Sequence, residues 1–222
     1  ENRVENGLVV IHNDSWDKAV DFRGFTVPYE GEYIVRFRAA GRIPNREQVV
    51  ASASAILQNR CDEQTASNPK AKANFEAQMA TDLQHFKQHR MYNYGPPRMK
   101  ISQTLGGTPG VIAEMDIDAP ESAPKVYEVP VHFTKLDAGI DMHYAYDIPH
   151  NLENFWMQTK PEFSRPELLV DWVELEGPIY SGWPPPAHKQ IMGDYIPGSS
   201  AKNETDAARA ILKRFMSRAY RR

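Results

Sequence analysis

A chain of 222 residues is long enough for one well-filled core, or for a core and a small satellite. Its 26 Lys and Arg nearly balance its 29 Asp and Glu, a net charge of −3 that gives no electrostatic reason to expect nucleic acid or an anionic membrane as partner. A lone cysteine, Cys61, excludes an internal disulfide framework and a cysteine-cluster metal site, and no apolar run approaches the ~18 residues of a spanning helix.

The first fifty residues have strand character. Leu8 to His12 is a short apolar run, and 25–38 (FTVPYEGEYIVRFR) spells a strand, a Pro/Gly turn and a second strand. In the second strand Tyr33, Val35, Phe37 and Ala39 alternate with Arg36 and Arg38, the period of a sheet with one dry and one wet face. Residues 45–92 change period. Asn45 is placed to cap a helix carrying Val49, Val50, Ala53, Ile56 and Leu57, and after Asn68-Pro69 a second helix carries Phe75, Met79, Leu83 and Phe86. This stretch is expected to be a helical hairpin inserted between strands, its apolar face on the sheet.

Strand character returns at Met99–Leu105 and Val111–Ile117, joined by a Gly-rich turn, then at Lys125–Lys135, Gly139–Ile148 and Leu168–Glu176. About eight strands with short turns predict a mainly β fold, an antiparallel β-sandwich or jelly roll with a helical insertion and a C-terminal helix. The expected organisation is a sandwich over 1–180, a Pro/Gly-rich linker over 181–202 and, over 203–222, the first helix of a following domain. That helix sets Ala208, Ile211, Leu212, Phe215 and Ala219 on one face. A chain opening on Glu1 without a leader pattern is expected to be a segment of a longer protein.

Several of these stretches resemble known families. The unit 25–36 (FTVPYEGEYIVR), the run 136–142 (LDAGIDM) and the closing 169–178 (LVDWVELEGP) resemble calcium-dependent carbohydrate-binding modules. With 90–98 (RMYNYGPPR), 105–109 (LGGTP), 152–158 (LENFWMQ) and the ending 218–222 (RAYRR), nearly the whole chain is similar to large planctomycete cytochrome-c-associated surface proteins. The resemblance implies an exported, periplasmic or cell-surface location, neighbouring domains of the same polypeptide as partners, and no ligand in particular. The CxxCH signature of covalent haem attachment is missing, so no haem is expected in this segment.

The resemblance also implies that Asp171, at the start of the closing strand, helps to hold a structural calcium with acidic residues near the first strand, Asp21 among them. Strand alternation puts Asp171 on the side of Leu169, Val173 and Leu175, where a carboxylate needs a metal, a cation or backbone amides. The Glu-x-Glu of the modules' first strand is missing. The competing expectation is an Asp bonded to an Arg.

For a glycan partner the stacking candidates are Trp156, Tyr146, Tyr144, Tyr92 and Tyr94, with Asn151, Glu153, Asn154 and Arg90 for sugar hydroxyls. Asn151 to Trp156 fall in a long stretch, 149–167, beyond the usual length of a structureless loop. The alternative is that these aromatics pin the loop and the insert to the sheet, and for Trp172 a core role is expected. His85 and His89 lie four apart without the Glu of an H-E-x-x-H site, so a solvated helix face is expected there, and Cys61 reads as a small buried hydrophobe. The chain contains no nucleophile elbow, P-loop or dinucleotide fingerprint, and no carboxylate pair stands out. A non-catalytic carbohydrate-binding-like module is expected, with an inter-domain docking module as the alternative and, third, an enzyme acting on polysaccharide.

Overall fold

A computed structural model describes residues 3–12, 19–22, 26–105, 108–135, 137–146, 148, 154–182, 184, 186–193, 195 and 204–220. In chain order its strands and helices are β1 (Val4–Glu5), β2 (Leu8–Ile11), β3 (Ala19–Phe22), β4 (Gly31–Arg42), α1 (Arg46–Ser67), α2 (Lys72–Gln88), β5 (Arg98–Leu105), β6 (Thr108–Asp116), β7 (Lys125–Phe133), β8 (Asp137–Tyr144), α3 (Phe155–Gln158), β9 (Glu167–Ile179), α4 (Pro186–Met192) and α5 (Glu204–Ala219). The strands form two antiparallel sheets, ordered β1-β2-β9-β4-β7 and β3-β8-β5-β6. Helix and strand occur in comparable measure, which corrects the expectation of a mainly β chain.

β4 follows its alternation closely. Tyr33, Val35, Phe37 and Ala39 point into the main core, and Arg36 and Arg38 point away. Across the β4–β7 ladder Phe37 stacks on Tyr127 at 5.4 Å, and Tyr33 meets Phe133 edge-on at 5.4 Å. β7 is the edge strand of its sheet, which is where a strand tolerates a residue such as Pro130 that cannot donate to a ladder. The same core takes Met99 and Ile101 from β5 and Ile140, Met142 and Tyr144 from β8, so one apolar interior is shared by both sheets. Val10, Ala40 and Leu169 make a separate, smaller cluster with Leu8.

Three strand expectations change. Thr26 and Val27 belong to a loop, while β3, not foreseen, pairs with β8. The stretches 125–135 and 139–148 end at Phe133 and Tyr144 and lie in different sheets, so the chain crosses between sheets there. In β9 the face alternation shifts by one residue. Leu168 and Val170 belong to the main core, and so do Val173 and Leu175. Trp172, between them, is 37% exposed and not the core residue expected.

α1 begins as expected. The Asn45 side chain accepts from the Gln48 amide and the Gln48 side chain accepts from the Asn45 amide, a reciprocal capping box. Its buried stripe is Val49, Ala53, Ile56, Leu57 and Cys61. The hairpin does not spend that stripe on the sheet. It closes a second core with Phe86, Tyr92, Met157 and Phe163, the last two from the long stretch after β8.

The chain divides into two compact units, 1–177 and 178–222. The second contains α4, a short helix inside the stretch 181–202 read as a linker, and α5, which has no buried residue. The Arg214 guanidinium packs against Gly193, and Arg218 donates to the Gln190 carbonyl.

Candidate functional site

The segment that follows β8 is fastened to α1 residue by residue. Asn154, in the left-handed conformation at φ 58°, turns the chain into α3, and Thr159 donates to the Trp156 carbonyl at 3.1 Å. Phe163 enters the second core beside Phe86. The Ser164 amide donates to the Ser52 hydroxyl at 3.0 Å, which itself donates to the Val49 carbonyl one turn back. Arg165, 4% exposed, donates to the Gln158 carbonyl and lies 3.2 Å from His12.

Between this segment and α1 lies a cavity of about 440 Å³ lined by Asn59, Arg60, Glu63, Trp156, Lys160 and Glu162, together with Ala55 and Ile56. Helical spacing explains the wall: Ala55, Asn59 and Glu63 recur every four residues beside the buried stripe. The indole of Trp156 is partly buried, and the Arg60 guanidinium stands 4.6 Å from its ring centre, a cation–π contact. A second cavity, about 290 Å³, opens near the start of α1 and shares Glu162 with the first. Among its lining residues Glu167 bridges Arg3 and Arg42 and Glu5 joins both; outside the lining, Glu121 takes two hydrogen bonds from Arg42. Hydrogen bonding from Arg42 holds the Glu121 carboxyl below the usual range.

Comparison with protein-family models, curated proteins and solved structures finds no match.

The sugar-contact candidates scatter. Trp156 is in the cavity. Tyr92 is 1% exposed in the second core and Tyr144 9% exposed in the main one, so neither ring has a face to offer; packing claimed both. Burial pushes the Tyr144 hydroxyl up, and it raises that of the part-buried Tyr94 to about 12 against the opposing charges of Arg165 and Arg46. Tyr146 is 59% exposed just beyond β8, and Arg90 is exposed in a 3-10 turn after α2. Asn154 shapes the entry to α3, while Asn151 and Glu153 lie outside the described residues.

Asp171 meets Arg38, on the outward face of β4, because the alternation of β9 shifts at Trp172 and not before it. Glu5 is held by Arg3 and Arg42. The side chain of Asp21, the expected partner of Asp171 in a calcium site, lies outside the described residues. Among the described residues no three His, Cys, Asp or Glu side chains converge as a metal group would. His85 packs its ring against Phe86 and Tyr92 instead of lying on a solvated face, and His89 accepts from the Met91 amide.

Sequence reasoning missed Asn59, Arg60, Glu63, Lys160 and Glu162. The i, i+4 spacing of Asn59 and Glu63 was visible as a polar flank of α1. What the flank faces is set by the return of 154–165, more than ninety residues later.

Proposed function

We propose that this chain is a non-catalytic glycan-binding module, its two-sheet body a β-sandwich of jelly-roll kind and its binding site the cavity between α1 and the Trp156 segment. The observation that carries the reading is a part-exposed indole in a concave site rimmed by amide, guanidinium, ammonium and carboxylate groups. Pyranose rings present apolar C–H faces that lie on an aromatic ring, while their hydroxyls need donors and acceptors at its edge. A cation over an exposed ring is held by about 0.5–1 kcal/mol, so a sugar can take the place of Arg60 and be hydrogen-bonded by the displaced fork. The family resemblance adds an extracytoplasmic setting within a larger surface protein. Affinity electrophoresis through gels cast with neutral polysaccharides tests the reading. The chain is retarded in at least one gel, Trp156→Ala migrates freely in it, and the polysaccharide is recovered unshortened. Absence of retardation in every gel overturns the reading.

A second reading is favoured by α5, whose Leu212, Phe215, Met216 and Tyr220 are all more than half exposed. Such a face suits docking against a neighbouring domain of the same polypeptide. It predicts that the chain binds a hydrophobic dye and that Leu212→Glu with Phe215→Glu abolishes the signal.

A further inference from the structure

The group that covers the Trp156 ring is a cation, the Arg60 guanidinium, 4.6 Å from the ring centre. The same cavity is lined by two carboxylates, Glu63 and Glu162, and by one other cation, Lys160. Among the described residues neither carboxylate takes a hydrogen bond or joins an ion pair. That sets them apart from Glu5 and Glu167 of the neighbouring cavity, which Arg3 and Arg42 hold.

Arg60 is exposed and has a second place to go. It also lines a cavity of about 310 Å³ between α1 and α2, with Asp82 in the same lining. Drawn off the indole, it leaves the Trp156 cavity with one cation, Lys160, to two carboxylates. A neutral sugar that replaces Arg60 on the ring does not restore the lost positive charge. A sugar bearing an ammonium group does, because its C–H face lies on the indole while its N–H groups donate charge-assisted hydrogen bonds to the carboxylates. Neutral glycans still bind through the indole, but less tightly.

From this we infer that the cavity selects glycans carrying free amino groups: an amino-sugar residue stacks on Trp156, its ammonium is held by Glu63 and Glu162, and Arg60 is the internal cation it displaces. The inference rests on the glycan-binding reading and names the class of sugar.

Titration calorimetry of the whole chain tests it, with three-unit oligomers of β-1,4-linked glucosamine, N-acetylglucosamine and glucose, and with oligolysine. At pH 5.5 in 50 mM NaCl the glucosamine oligomer, its amines protonated, binds at least tenfold more tightly than either neutral oligomer. The margin shrinks below threefold at pH 8.5, where the amines are uncharged, and in 500 mM NaCl, where the contact is screened. Glu63→Gln with Glu162→Gln, both at exposed positions, brings the three sugars within threefold of one another at pH 5.5, and Arg60→Ala raises the affinity for glucosamine at least threefold. Neutral oligomers that bind as tightly as glucosamine at pH 5.5 overturn the amino-sugar preference but leave glycan binding standing. Oligolysine bound as tightly as glucosamine, or glucosamine binding that survives Trp156→Ala, overturns the preference as well, since either shows charge acting without the indole. A chain that binds none of the three sugars overturns both readings.

Discussion

Gly177 sits against the ring of Tyr33, and a Cβ built there would lie 2.2 Å from the ring. Tyr33 is 3% exposed and packed edge-on against Phe133, so it has no room to withdraw. Gly177→Ala is therefore expected to cost about 1–3 kcal/mol, read as a lower urea midpoint. Ionisable residues set the pH limits. Glu121 titrates below its unfolded value, so its contribution is complete above about pH 4.5 and is lost as pH falls through the lower folded value. Tyr94 and Tyr144 titrate above theirs, so their contribution is complete below about pH 10 and fades on the alkaline side. Thermal melts from pH 3 to 12 should fall at both ends, Glu121→Gln should flatten the acid limb, and Tyr94→Phe the alkaline one. The Asp171–Arg38 pair is part-exposed, and Asp171→Asn should cost less than about 1 kcal/mol, with the same melting temperature in calcium and in EGTA.

At the scale of elements, local signals were clear where one rule acted alone. Asn45 announces α1 because capping is settled within four residues, and β4 shows its alternation because one face of the strand is dry. Asn45→Ala should lower stability by about 1 kcal/mol, measured by urea unfolding, without changing the far-UV spectrum beyond a frayed first turn. β9 misled because strict alternation predicts the face of Asp171 only if no extra residue intervenes. The shift at Trp172 sends Asp171 to an arginine and Trp172 toward solvent. Tyr92 misled for another reason. A tyrosine between a helix end and a Gly-Pro-Pro turn looks like a loop aromatic, yet its ring lies tilted against Phe86, 4.8 Å between centres, in the core that the hairpin shares with the Trp156 segment.

On the scale of the molecule, residues 1–177 hold two large apolar clusters with different clients: one shared by the sheets, and one that joins the helical hairpin to the segment carrying Trp156. The second cluster is what holds the Trp156 segment against the hairpin. Phe86 is fully buried there, so Phe86→Ala should cost about 3–5 kcal/mol. It should also shift tryptophan emission to the red and raise hydrogen exchange in 154–165 while the amides of β4 and β7 stay protected. Loss of protection in β4 and β7 to the same degree would show the two clusters to be a single cooperative core.

By itself the sequence determined most strands, the helical hairpin with its cap, and the amphipathic α5, because period, caps and turns are written within a few neighbouring residues. It also pointed to Trp156. Tertiary structure alone decided which sheet each strand joins, that the hairpin packs on the returning segment, that Asp171 answers to Arg38, and that Arg60 and Glu162 stand beside Trp156. Those are meetings of residues tens to more than a hundred positions apart, and what brings them together is the burial of whole apolar faces, a property that no local pattern contains.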